Sequence, residues 1–194
     1  MMRARCVVLD REPTNAFFWL TIPIKLPLQI KELYALEPFP AAIPHLNKAI
    51  ASRGSDFAAK SQVVVAGIED VATLSSRGIT SGSLDSLVVV RCMCSIPGGP
   101  QAHLRRCVDL LRPGGTIIMI EHTLQTGDHL SQQLQRIFNP PWRFMANGCE
   151  LTRDSLGVLL SLQCWDDVVV RRPVGESTAS LLPHIFVTAT KKKA

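Results

Sequence analysis

The chain has 194 residues, of which 46% are hydrophobic and 19% are charged, and its net charge is +5. A chain of this length and apolar content can bury a sizeable core, which excludes disorder as its overall state. Three of the positive charges form the C-terminal run 191–193, and no basic stripe is interleaved with aromatic residues. We therefore expect no nucleic-acid partner.

The most membrane-like stretch is residues 16–30, which Pro23, Lys25 and Pro27 interrupt. It falls short of the roughly 20 apolar residues that span a bilayer. Residues 17–20, Phe-Phe-Trp-Leu, keep membrane association open as an alternative to simple packing on the fold. The start of the chain lacks a signal-peptide pattern, and the six cysteines lack the spacing of a disulfide framework. We expect a reduced, cytoplasmic protein.

Glycine and proline divide the chain into unequal parts. All 12 glycines lie at Gly54 or later, whereas six of the 13 prolines fall within the first 53 residues. Tight turns that require positive φ are therefore expected only in the later part. We predict an atypical N-terminal segment at 1–30, one domain at 31–190 and a basic tail at 191–194.

The hydrophobic pattern predicts strands that alternate with helices. Continuous β-branched runs are typical of strands that are buried on both faces of a parallel sheet. The predicted strands lie at residues 32–36, 63–66, 84–91, 116–120, 168–171 and 184–189. The predicted helices lie at 43–50, at 104–111 with Pro113-Gly114-Gly115 as its stop, at 130–138 with Pro140-Pro141 as its stop, and at 152–160 with Thr152 as its cap. This order predicts an α/β fold with a mainly parallel sheet.

Ligands of such sheets bind beyond the carboxyl ends of the strands, and acidic residues stand at two of these ends. Glu37 follows the first of the predicted strands, where an acid can accept both hydroxyl hydrogens of a ribose. The alternative is an acid that stabilises a helix start. Glu69 and Asp70 follow the second, where a carboxylate could bond an adenine amino group. Their alternative is a solvated turn.

Cysteine and histidine follow the next two strands. Arg91, Cys92 and Cys94 stand where the sulfur end of a cofactor would lie. The Cys-x-Cys pair also suggests metal binding. Structural zinc needs about four ligands, so Cys149 and a histidine would have to converge on this pair. We expect buried thiols and no metal. His122 could act as a general base, or it could be a structural histidine bonded to the backbone.

Several segments resemble known sequence motifs. Residues 110–116, Leu-Leu-Arg-Pro-Gly-Gly-Thr, together with 83–88 and 34–38, resemble the class I S-adenosylmethionine-dependent methyltransferases. Residues 139–142, Asn-Pro-Pro-Trp, and 148–153, Gly-Cys-Glu-Leu-Thr-Arg, resemble the thiol methyltransferase branch of the ubiquinone-methyltransferase-like group. The resemblance implies a Rossmann-like sheet and S-adenosylmethionine-dependent methyl transfer to a small-molecule thiol, hydroxyl or amine.

The resemblance also implies roles for particular residues. Those implied roles are ribose binding by Glu37, adenine contact by Ile68 and Glu69, proximity to the methionine part for Arg91 and Cys92, and an acceptor pocket shaped by Trp142 and Cys149. His122 is then the candidate catalytic residue for removing the acceptor's proton.

The chain departs from the family after the first strand. The family has a glycine-rich loop there, because only glycine lets the backbone approach the cofactor so closely. Residues 5–10 can form the first strand, but Arg11-Glu12-Pro13 follows Asp10. We therefore expect an incomplete or atypical first-strand region. It leaves open a catalytically inactive or repurposed protein that acts as a binding module or partner subunit.

Overall fold

The computed structural model of the chain describes the backbone of residues 5–10 and all of residues 30–193. Its strands form one sheet in the order β3-β2-β1-β4-β5-β7-β6. They are β1 (Arg5–Asp10), β2 (Glu32–Leu36), β3 (Ser61–Val64), β4 (Leu84–Val90), β5 (Leu111–His122), β6 (Trp165–Arg171) and β7 (His184–Lys191). Strands β1 to β5 pair in parallel, and β7 is antiparallel to both β5 and β6. The predicted mainly parallel α/β sheet is confirmed.

Helices connect β2 to β3, β3 to β4, β4 to β5 and β5 to β6. They are α1 (Ile43–Ala51), which follows a 3-10 turn at Pro40–Ala42, α2 (Ser55–Lys60), α3 (Val71–Ser76), α4 (Pro100–Leu110), α5 (His129–Met145) and α6 (Ser155–Ser161). Strand β1 is an interior strand, third in the sheet order, and pairs with β2 on one side and β4 on the other. The segment predicted to form the first strand therefore does so.

Strand β4 shows why its sequence is apolar at consecutive positions. Successive side chains of a strand point to opposite faces. Leu87 and Val88 are 0% and 1% exposed, so both faces of the sheet are covered here. Leu104 and Cys107 of α4 belong to the same buried cluster as Leu87. The continuous run is thus the mark of a doubly covered strand.

The Pro-Gly-Gly motif does not end a helix, contrary to the prediction. Helix α4 has already ended at Leu110, and residues 113–115 lie within β5. The β4–β5 pairing shifts register between Leu84 and Ser86, opposite this motif. A Cβ on Gly115 would stand 2.9 Å from the Arg112 carbonyl oxygen. Glycine is therefore required by close backbone approach rather than by a helix stop.

Replacing Gly115 with alanine is expected to lower the free energy of unfolding by about 1–3 kcal/mol, because backbone must shift to admit the methyl group. Urea unfolding followed by circular dichroism measures this loss. The matched control is Gly127→Ala, where the new Cβ would meet only the Gln125 side chain at 3.5 Å. The control is expected to change stability by less than about 1 kcal/mol. Equal losses in both variants would contradict the argument.

Helix α5 also passes through the proline pair predicted to stop it. The helix runs from His129 to Met145 and includes Pro140 and Pro141. Prolines lack the N–H of the i→i−4 bond, so this helix gives up two such bonds. The Asn139 side chain accepts a hydrogen bond of 2.7 Å from the Leu151 amide, which ties this part of the helix to the following segment. Tertiary contact thus outweighs the local signal.

Other predicted boundaries also move by a few residues, among them those of α6 and β3. Helix α6 is capped by Asp154, which accepts a hydrogen bond of 2.7 Å from the Gly157 amide, and not by Thr152. Aspartate is as effective a cap as threonine and stands directly before the first helical residue. Strand β3 ends at Val64, two residues earlier than predicted.

The N-terminal apolar segment lies outside the residues that the structure describes. Residues 11–29 contain both the segment that follows β1 and the candidate membrane-associating residues 17–20. Within the described ranges, 5–10 and 30–193, no helix has the length and apolar character needed to cross a membrane.

Candidate functional site

Two cavities open at the carboxyl edge of the parallel strands. The small cavity has a volume of about 150 Å³, and the large cavity has a volume of about 470 Å³. Seven of the eight candidate residues line these cavities, and Glu37 lies beside the small one. Ile68, Glu69 and Cys92 line the small cavity. Arg91, His122, Trp142 and Cys149 line the large one.

The small cavity has apolar walls with an acid beside it. Leu36 and Ile68, which line it, are 2% and 1% exposed. Glu37 is buried directly after β2, and its Oε1 accepts a hydrogen bond of 2.7 Å from the Phe39 amide. Phe39 itself lines the cavity. The turn thus fixes the carboxylate of Glu37 next to a slot suited to a flat apolar group.

The two acids after β3 have different surroundings. The Asp70 carboxylate caps α3 by accepting a hydrogen bond of 3.0 Å from the Thr73 amide, and hydrogen bonding to Thr73 lowers the pKa of Asp70. The side chain of Glu69 is 63% exposed, and one of its oxygens lies 3.9 Å from Nε2 of His103. Of the two acids after β3, Glu69 is therefore the one available to a ligand in the small cavity.

A strained residue separates the two cavities. Arg91 follows β4 with a φ of 47°, a left-handed conformation that is uncommon outside glycine. Its amide donates a hydrogen bond of 2.8 Å to the Ile120 carbonyl. Arg91 then faces the large cavity and Cys92 the small one. Such strain clusters at functional sites, where surrounding contacts hold it in place.

Glu121 holds the turn after β4, a role that the sequence interpretation missed. Its side chain is fully buried, and Oε1 accepts hydrogen bonds from the amides of Cys92 at 2.7 Å and Met93 at 3.1 Å. Burial raises the pKa of Glu121 to about 7. Its place at the end of a buried strand is the signal that could have found it.

Cys94, His122 and Cys149 form a cluster, hereafter the Cys–His cluster. Nε2 of His122 lies 2.9 Å from Sγ of Cys149, and the Trp142 indole N–H donates to the same sulfur at 3.3 Å. One ligand atom from each of the three lies within 4.8 Å of the others. Nδ1 of His122 is buried and has no hydrogen-bond partner among the described residues. The contact with Cys149 therefore sets the orientation of the ring.

The pKa values of the two cysteines in the cluster shift in opposite directions. Hydrogen bonding from Cys94, with further help from His122 and Trp142, lowers the pKa of Cys149 well below its usual range. Hydrogen bonding to Cys149 and burial raise the pKa of Cys94. These opposite shifts favour the thiolate form at Cys149 over Cys94. The sequence alone makes it improbable that Cys149 and a histidine lie beside Cys94, but the structure brings all three together.

Hydrogen bonds from the motif at 148–153 hold the two cysteine-bearing segments of the cluster together. The Arg153 guanidinium donates to the carbonyl oxygens of Met93 at 3.0 Å and Ile96 at 2.6 Å, and to Oε1 of Glu150 at 3.1 Å. The Glu150 amide donates to the Cys94 carbonyl at 2.9 Å. These bonds hold the segment that carries Cys149 against the turn that carries Cys94.

His184 is a second histidine of the large cavity, and the sequence interpretation placed it only in a strand. It pairs with His122 in the β5–β7 register. Its Nδ1 lies 2.8 Å from Oε1 of Glu176, which holds the ring at the cavity wall. Only the antiparallel pairing brings it there, and no local motif indicates that pairing.

Comparison with known proteins gives relatives in sequence and in fold. No family model matches the chain. The chain is 30% identical over 115 residues to human thiol S-methyltransferase TMT1B, a match that covers 59% of this chain and 47% of that protein. The chain therefore spans about half the length of this curated relative.

Solved structures share the fold at low sequence identity. A SAM-dependent methyltransferase from Methanosarcina mazei matches with a TM-score of 0.64 and 12% identity, over all of this chain and 95% of that one. The cyclase SpnF matches with a TM-score of 0.67 and 8% identity, over 99% of this chain and 76% of that one. The chain has the Rossmann-like fold of these proteins.

Proposed function

We propose that this chain, whose resemblance to the class I S-adenosylmethionine-dependent methyltransferases is confirmed in sequence and in fold, transfers a methyl group from S-adenosylmethionine to a small molecule. The observation that carries the proposal is the pair of adjoining cavities at the carboxyl edge of the sheet. One is apolar with an acid beside it, which suits a nucleoside. The other is larger and lined by titratable side chains, which suits an acceptor.

The small cavity supports the nucleoside half of the cofactor. Glu37 would bind the ribose hydroxyls, while Ile68 and Glu69 would flank the adenine and Cys92 would close the far wall. Arg91 faces the large cavity, toward which the methionine part would extend. When bound, the cofactor supplies an electrophilic methyl group.

The large cavity supports the acceptor. Trp142 and Cys149 would shape its walls, and His122 would take the acceptor's proton at Nε2, the nitrogen that otherwise contacts Sγ of Cys149. Positioning alone can supply several kcal/mol of such a barrier, so little further machinery is needed. We propose a thiol as the first acceptor to test, since the curated relative is named a thiol S-methyltransferase. We further propose a reducing, cytoplasmic setting, which the cysteine spacing of the sequence indicates.

The alternative is a protein that uses this fold without methyl transfer. The sequence after Asp10 lacks the family's glycine-rich loop. The shared fold is also compatible with another reaction, since SpnF is named a cyclase. In that case the two cavities would serve a binding module or a different chemistry.

Titration calorimetry with S-adenosylmethionine separates the two functions. We expect a micromolar dissociation constant, weakened at least ten-fold in Glu37→Ala because the ribose loses its acceptor, a loss of about 1.4 kcal/mol. The control is Asp56→Ala, which removes an exposed carboxylate from the Asp56–Lys60 pair and should leave the affinity unchanged. Absence of heat with folded wild-type protein would reject methyl transfer and favour the alternative.

A further inference from the structure

The Cys–His cluster brings together three side chains that all ligate soft metals. Its members come from separate parts of the fold: Cys94 from the turn after β4, His122 from the end of β5, and Cys149 from the segment after α5. Cys94 and His122 are buried, and Cys149 is partly exposed. We propose that Cys94, His122 and Cys149 bind one Zn²⁺ ion whose fourth position faces the large cavity.

The donor set selects the metal. Thiolate and imidazole ligands favour zinc over the hard cations magnesium and calcium. Structural zinc sites close the tetrahedron with four protein ligands, whereas catalytic sites use three and leave one position open. Among the described residues, the acidic, cysteine and histidine side chains supply three ligands to this cluster and not four. The arrangement therefore matches an open site.

The geometry requires only a small adjustment between His122 and Cys149. Zinc bonds of about 2.3 Å to sulfur and 2.0–2.1 Å to nitrogen place tetrahedral S and N ligands about 3.5 Å apart. Nε2 of His122 and Sγ of Cys149 are 2.9 Å apart, so they must separate by about half an ångström. The bonds of Arg153 and Glu150 hold the two cysteine-bearing segments together while the side chains rotate. The Trp142 N–H would remain as an outer hydrogen bond to the Cys149 sulfur.

The open position gives the ion a role in the proposed reaction, and this step rests on the proposed function. A thiol that binds zinc is deprotonated, since the ion stabilises the thiolate, and its proton passes to solvent. The acceptor would then be held in the large cavity as a nucleophile. With the ion bound, His122 is a ligand and does not act as a base. The zinc ion promotes loss of the acceptor's proton, so no separate proton acceptor is needed.

The test is the zinc content of the purified chain, loaded with zinc, dialysed, and measured by plasma mass spectrometry. We expect about one zinc per chain in the wild type and loss of most of it in Cys94→Ser, Cys149→Ser and His122→Ala. The matched control is Cys164→Ser, a partly exposed cysteine outside the cluster, which should keep the wild-type content. Cobalt in place of zinc should give a thiolate-to-cobalt absorption band that the Cys149→Ser variant lacks. Trp142→Phe should weaken zinc binding by about 10- to 100-fold, as the loss of other outer hydrogen bonds to metal ligands does.

The outcomes are separable. Zinc-free wild-type protein with native circular dichroism would overturn the metal site and leave His122 free to act as a base. Zinc retained equally by both serine variants would place the ion elsewhere and would also overturn it. Because zinc content is measured without cofactor or acceptor, failure of methyl transfer leaves this result standing, and failure of zinc binding leaves the cofactor titration standing.

Discussion

Replacing Glu121 with alanine is expected to lower the free energy of unfolding by about 2–4 kcal/mol. The change removes the acceptor of the Cys92 and Met93 amides, which lie buried at the carboxyl end of β4. It also leaves a void where a fully buried side chain stood. Chemical denaturation followed by circular dichroism measures the loss. The control Glu121→Gln keeps a carbonyl oxygen for the two amides and should cost less; an equal cost would show that the hydrogen bonds are not the source.

The same residue predicts a pH dependence with a definite sign. Burial raises the pKa of Glu121 from 4.5 to about 7, so the folded state holds a proton that the unfolded state has already released. The resulting stabilisation is complete below pH 4.5 and is lost as the pH rises to about 7. Its size is on the order of 3 kcal/mol. The difference in unfolding free energy between wild type and Glu121→Gln should therefore fall across this window and level off above it. A difference independent of pH would contradict the assignment.

The strands of the sheet were predictable because a strand that is buried on both faces has apolar residues at consecutive positions. Leu87 and Val88 face opposite sides of the sheet, and both must be apolar. Helix ends were harder, because local signals compete with tertiary contacts. Pro140 and Pro141 predict a stop, but contacts such as the Asn139–Leu151 bond accompany a helix that continues past them. That bond joins residues whose proximity no local pattern indicates.

The site was predictable one residue at a time but not as an assembly. His122 and Glu37 could be selected because they follow strands that end at a common edge. The convergence of Cys94 with Cys149 depends on how the segment after α5 folds back onto the turn after β4, which Arg153 and Glu150 enforce. Those contacts join residues that are far apart in the chain, so the spacing of residues in the sequence does not predict them. The expectation of no metal at the Cys-x-Cys pair was made without this information and stays a prediction.

Replacing Arg153 with methionine is expected to lower the free energy of unfolding by about 2–4 kcal/mol, which ranks it with Glu121→Ala. Methionine keeps an unbranched apolar stem but leaves the carbonyl oxygens of Met93 and Ile96 without this donor. It also leaves Glu150, whose side chain is only 22% exposed, without its nearest cation. Because one hydrogen bond to a charged group contributes about 1.5–3 kcal/mol, losing several exceeds the effect of an ordinary surface change.

The matched control for Arg153→Met is Arg106→Met, which removes an ion pair at 2.6 Å to Asp109. Arg106 is 22% exposed and Asp109 is 45% exposed, so this pair is partly screened by solvent, and it is one ion pair where Arg153 makes three hydrogen bonds. The control should therefore lose clearly less than Arg153→Met. Arg153→Lys should recover only part of the stability, since an ammonium cannot reproduce the planar fork that reaches two carbonyls and a carboxylate. Freeing the segment from the turn should also raise the rate at which iodoacetamide alkylates Cys94, which is buried in the folded chain. Equal unfolding losses in Arg153→Met and Arg106→Met, with no change in Cys94 alkylation, would show that Arg153 does not join the two halves of the Cys–His cluster.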